Sequence, residues 1–64
     1  MKKGTVKFFN TERGFGFITP EDNSQEIFVH YTGLVDEIRE NDKVQYETTQ
    51  GNRGLSAVNV EVLD

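Results

Sequence analysis

The sequence predicts an all-β fold, with five short strands forming a barrel or a compact sheet pair. Three observations carry that reading. Apolar residues recur with period two over most of the chain, turn-forming clusters separate the runs, and only residues 32–42 depart toward helical spacing. At 64 residues the chain is expected to be one domain, residues 1–64. A domain of about 60 residues buries only about 60% of the surface that its unfolded chain exposes, so core side chains are scarce.

The elements follow in order. "GTVKFFN" (4–10) alternates and is rich in strand formers. "GFGFIT" (14–19) alternates and ends at Pro20, with "EDNS" (21–24) as a turn. "EIFVHY" (26–31) is again strand-like. In "TGLVDEIREND" (32–42), Leu34, Val35 and Ile38 fall at helical spacing, with Thr32 placed to cap and Gly33 weakening a helix. This stretch is expected to be a short helical turn or ordered loop that tucks Leu34 and Ile38 under the barrel. "KVQYET" (43–48) and "LSAVNVEVL" (55–63) complete the strands, joined by the turn chemistry of "QGNRG" (50–54).

Alternation assigns faces. In the second strand Gly16 and Ile18 oppose Phe15, Phe17 and Thr19, and in the third Ile27 and Val29 oppose Phe28 and His30. In the fifth, Val58, Val60 and Val62 share a face opposite Ala57, Asn59 and Glu61. The β-branched sets make one interior, joined by Val6, Val44 and Tyr46. The phenylalanines then share the outer face, which has room for Lys7 or Phe8 from the first strand. Phe8 and Phe9 are adjacent, so regular geometry points at least one of them outward. A chain this short cannot bury both faces of a sheet, and rings exposed as one patch mark a binding surface.

Composition narrows the function. With no Cys and a single His (His30), disulfides, a Cys-ligated zinc and a structural metal site are not expected. "MKKG" leads into an alternating stretch instead of an apolar run, so neither a signal peptide nor a membrane span is expected, and a cytoplasmic location is. No nucleophile accompanies His30, the acids lie mainly in turns, and "GFG" lacks the helix and Lys-Ser/Thr of a phosphate loop, so no enzyme is expected. No cofactor, small-molecule substrate or membrane partner is expected either. The net charge of −4 argues by itself against a nucleic-acid binder. Its distribution does not: residues 1–20 carry Lys2, Lys3, Lys7 and Arg13 against Glu12 alone, and the acids gather in 21–64.

Flat rings flanked by cations suit single-stranded nucleic acid, because every base has a π-face that an aromatic ring can stack on. Lys7, Arg13 and Arg53 are placed to meet phosphates, with Lys2 or Lys3 nearby, and His30 to stack on a base or hydrogen-bond to it. Gly14 and Gly16 either let chain or ligand come close or, for Gly14, complete a turn. A module gripping an extended or proline-rich peptide, as SH3-like domains do, is the alternative. It accounts for the rings and the acidity but not for the cations gathered beside the rings.

"KGTVKFFN", "RGFGFITP" and "EIFVHY", continuing through "GNRG" and "AVNV", resemble the bacterial cold-shock proteins over nearly the whole chain. "RGFGFI" resembles the first ribonucleoprotein motif and "IFVH" the second. The first motif also occurs in the RNA-recognition-motif domain, whose two amphipathic helices this chain has no room for. The resemblance implies a five-stranded antiparallel OB-type barrel whose second and third strands bind single-stranded RNA or DNA. Family roles map onto Lys7, Phe8, Phe9, Arg13, Phe15, Phe17, Phe28, His30, Tyr31 and Arg53. What it implies for function is an RNA chaperone that holds RNA unpaired in the cold, assisting translation and transcription; nothing in the sequence suggests an obligate dimer, so a monomer is expected. Two positions and one connection depart from the family: Phe8 stands where Trp is usual, Leu55 where Pro is usual, and the connection from His30 to Val44 is shorter and lacks an aromatic.

Overall fold

The computed structural model describes residues 1–22, 25–51 and 54–63. Five strands are present: β1 (Lys2–Asn10), β2 (Phe15–Pro20), β3 (Ile27–His30), β4 (Lys43–Gly51) and β5 (Gly54–Val62). They close into a barrel in the order β1-β2-β3-β5-β4. Four pairings are antiparallel, and closure is made by a parallel contact of β3 with β5, Phe28 opposite Ser56 and Val29 opposite Ala57. Closure gives every strand a neighbour on both sides over part of its length.

The barrel has one interior, and the β-branched residues fill it. Val6, Ile18, Ile27, Val29, Ile38, Val44, Tyr46, Ala57 and Val60 form the buried core, with Phe9, Leu34 and Val62 packed partly against it. The faces expected for β2 and β3 are the observed ones. In β5 the expected alternation fails at one point: Ala57 and Val60 are buried, while Val58 and Val62 are half-buried. The cause is a bulge. Gln45 pairs with Glu61 but Glu47 with Val58, so β5 advances three residues while β4 advances two. Asn59 absorbs the extra residue at φ 53°, a conformation Asn tolerates better than most residues, and its amide donates to Glu47 Oε1 at 2.9 Å.

A second bulge shapes β1. Val6 pairs with Ile18 and Phe8 with Phe17, leaving Lys7 as an extra residue that breaks alternation. Val6 therefore points in, Phe8 points out and Phe9 turns back toward the core. Here β2 must carry a glycine, because a Cβ on Gly16 would run into the Phe8 carbonyl oxygen and lie 2.8 Å from the Phe9 Cα. Beyond the bulge, Val6 N–H donates to the Asp42 carbonyl and its carbonyl accepts from Asn41 N–H, both at 2.8 Å.

The connection after β3 is one 3₁₀ turn, Tyr31–Gly33, followed by irregular chain. Its N-cap is His30, whose ring accepts from Thr32 N–H, so Thr32 lies inside the turn it was expected to cap. Ile38 is buried and Leu34 partly so, as expected, and Val60 accepts from Val35 N–H at 2.8 Å to hold the segment across the barrel end.

Tyr46 is the one core residue with a polar atom that finds no hydrogen-bond partner among the described residues. Burial, and secondarily the Asp22 charge, push its phenol above its ordinary value. Tyr46→Phe should raise stability by about 1 kcal/mol near pH 7 in urea unfolding, since it removes an unpaired hydroxyl while keeping the ring. The phenol ionises first in the unfolded chain, so its effect on stability is constant below about pH 10 and stability is lost as pH climbs toward the folded value. The gap between variant and wild type should therefore widen from about pH 8 to about pH 11.

Candidate nucleic-acid interface

The two face assignments and the Lys7 bulge together lay a strip of rings over the outside of β1, β2 and β3. Register sets the first row, with Phe8 opposite Phe17 and Phe17 opposite Phe28. A second row begins at Phe15, opposite His30. The ring centroids follow: Phe8–Phe17 5.6 Å, Phe17–Phe28 5.9 Å, Phe15–Phe28 6.0 Å and Phe28–His30 6.4 Å, the last two nearly parallel. Tyr31 extends the strip into the 3₁₀ turn, its ring 4.6 Å from that of His30. Phe15, Phe17 and Phe28 are half-buried by one another, while Phe8 and Tyr31 are 37% and 59% exposed. Each ring props its neighbours and keeps a face for solvent.

Backbone geometry holds the two ends of the strip. The β1–β2 turn is closed by Asn10, whose side-chain oxygen accepts from Glu12 N–H at 3.0 Å and Arg13 N–H at 3.1 Å. Gly14 then takes φ +76°, and a Cβ there would lie 2.7 Å from Tyr31 Cδ1. The glycine thus serves both alternatives read from the sequence, turn and close approach, and what approaches is the protein's own tyrosine. Tyr31 N–H donates to the Gly14 carbonyl at 2.8 Å, tying the 3₁₀ turn to the β1–β2 turn. His30 Nδ1 lies 2.9 Å from Thr32 Oγ1 and accepts from Thr32 N–H.

Of the residues singled out in the sequence, Phe8, Phe15, Phe17, Phe28, His30 and Tyr31 come together in the strip. Phe9 does not join it; it lies half-buried against the core, directed there by the bulge. Arg13 is exposed at the turn beside Tyr31. Arg53 lies outside the described residues. Lys7 is exposed beside the strip, but its ammonium is 2.7 Å from Glu26 Oε2. Sequence reasoning missed Glu26. It directly precedes β3, and only the pairing of β1, β2 and β3 brings it to Lys7. Glu37, in the irregular chain after the 3₁₀ turn, is a second missed residue, sharing a cleft with Arg13 and Tyr31. Among the described residues no group of three or more His, Cys, Asp or Glu is placed to hold a metal ion.

This arrangement suits a polyanion with flat bases better than any reacting substrate. The model of the family described as 'Cold-shock' DNA-binding domain matches residues 2–63. The chain belongs to the cold-shock domain family. The Major cold shock protein of Micrococcus luteus is 51% identical, with 98% of this chain and 100% of that one covered. Cold shock-like protein CspG of Escherichia coli K12 is 47% identical over 94% of this chain and 91% of its own. The solved structure of drosophila Unr CSD456 matches with a TM-score of 0.83 at 29% identity, covering 98% of this chain and 26% of that one. Membership makes this a nucleic-acid-binding cold-shock protein and not an enzyme.

The geometry separates strip from core in a way that stability measurements can check. Phe17→Ala should cost about 1 kcal/mol, the value of its ring–ring contacts, while Ile18→Ala next to it should cost about 2–5 kcal/mol. The reverse order in urea unfolding would mean that the rings, and not the aliphatic set, make the core.

Proposed function

We propose that the aromatic strip binds unpaired RNA or DNA by stacking on successive bases, and that the protein acts as an RNA chaperone in the cold. The observation that carries this is the continuous row of outward rings across β1, β2 and β3. Each stacked base contributes about 1–3 kcal/mol, and because every base has a π-face the platform tolerates any sequence. Lys7 and Arg13, with Lys2 or Lys3 and Arg53, meet the phosphates.

The mechanism is passive. Unpaired strands offer base faces and duplexes do not, so binding shifts hairpins toward the open form by mass action. Cooling over-stabilises RNA pairing, which is where such a shift assists translation and transcription. The protein acts as a cytoplasmic monomer, without nucleotide hydrolysis, and its sparse cations keep contacts weak enough for polymerases and ribosomes to displace it.

The Lys7–Glu26 pair tempers the phosphate contribution. Glu26 is a counterion already in place, so a phosphate that engages Lys7 displaces a carboxylate. An exposed pair of this kind adds only about 0–1 kcal/mol to stability, so exchange is easy.

Anisotropy titration of a labelled pyrimidine-rich single strand tests the reading. Wild type should bind with a shallow salt slope, about −2 to −3 for three or four phosphate contacts. Phe17→Ala, confirmed folded by circular dichroism, should lose about tenfold to a hundredfold in affinity. Glu26→Gln should bind more tightly at low salt, with a slope steeper by up to about 0.7. Folded wild type that binds no single strand would overturn the proposal and favour a peptide ligand.

A further inference from the structure

Beyond Tyr31 the strip does not stop at a bare edge. It runs into a cleft of about 370 Å³ lined by Phe9, Arg13, Gly14, Tyr31, Leu34 and Glu37 among others. Phe9 and Leu34 give it an apolar floor backed by the core. Tyr31 forms one wall and is held there, against Gly14, by the close approach and the backbone hydrogen bond already described. A flat, rigid ring over an apolar floor is what an unstacked base needs, and this cleft adjoins rings that would carry its neighbours.

The rim is polar and carries both signs. Arg13 and Glu37 line the same cleft, yet neither side chain is taken up in an ion pair or hydrogen bond among the described residues. The carboxylate therefore keeps its acceptor capacity, and the guanidinium offsets the repulsion it would exert on a nucleic-acid backbone. Carboxylates read bases by accepting from their N–H donors. In a single strand the pairing edge is open for that contact. Guanine alone presents two adjacent donors there, N1–H and the N2 amino group, matching the two oxygens of a carboxylate. Cytosine and adenine each offer one amino group, and uracil one ring N–H flanked by two acceptors that face a carboxylate unfavourably.

We propose that this cleft is a guanine-selective subsite extending the strip by one nucleotide, with Glu37 as the residue that sets the preference. It rests on the single-strand reading above, and adds to it a sequence preference at one end of an otherwise sequence-tolerant surface. Glu37 lies three residues after Leu34, in the irregular chain that also brings Ile38 into the core.

The test compares an all-uridine hexanucleotide with two others carrying one guanine, at the 5′ end or at the 3′ end, by competition anisotropy. For wild type, guanine at one of the two ends should tighten binding about fivefold or more, the discrimination typical of a paired contact to a base edge. In Glu37→Gln, folded by circular dichroism, that guanine-over-uridine ratio should fall below about twofold. Wild type that binds all three strands alike overturns the subsite and leaves the stacking surface standing. A ratio unchanged in the variant removes Glu37 from the readout, and loss of binding to every strand by the variant makes Glu37 a general contact; either overturns the assignment. Failure of wild type to bind any of the three strands would instead sink the single-strand reading itself.

Discussion

One extra residue in β1 decides what the outside of this barrel looks like. Had the strand run without interruption, Val6 and Phe8 would share a face, and Phe8 would compete for an interior that Ile18, Val29 and Val44 already fill. The bulge at Lys7 reverses the parity. Phe8 joins Phe15 and Phe17 outside, Phe9 turns inward over Gly16, and Val6 gains backbone partners in the connection before β4. Bulges also raise local twist and bend, which closing a short sheet into a barrel requires. The Asn59 bulge does the same work in β5, exchanging Val58 for Ala57 in the interior.

The scarcity of core in so small a domain has a functional side. A barrel of this length has room for one layer of aliphatic side chains, and the β-branched residues take it. The six rings of the strip have nowhere to go but out, where they shield one another by cross-strand packing and leave faces open. The buried core and the outer strip therefore draw on separate residues. Core and strip lie back to back on β2 and β3, so every second residue serves one or the other.

Electrostatics around the strip are more balanced than the N-terminal run of cations suggests. Lys7 is paired with Glu26, and Arg13 shares its cleft with Glu37. With a net charge of −4, the chain has little non-specific attraction for phosphate, and duplex binding depends on that attraction above all. Around the rings, cations and acids lie close together.

Much of this was decided by local sequence. Period-two alternation and turn residues set all five strands to within three residues of their ends, β4 running on to Gly51 into the stretch expected to turn. The apolar pattern in β2 and β3 settled which face was core, because a one-residue shift there would expose Ile18 and Val29 and bury His30. The family motifs "RGFGFI" and "IFVH" placed the rings. Tertiary structure decided the rest. A bulge is a mismatch between two strands, so alternation within one strand cannot reveal it, and both Phe9 and Ala57 took their inward positions that way. The turn cap went to His30 and not Thr32, because β3 delivers the His30 ring onto the Thr32 N–H. The acid paired with Lys7 and the acid that shares a cleft with Arg13 lie 19 and 24 residues away in sequence, brought near only when the strands pair and the connection folds back. Local chemistry wrote the strands and the rings; contacts between distant segments set their parity and their charge.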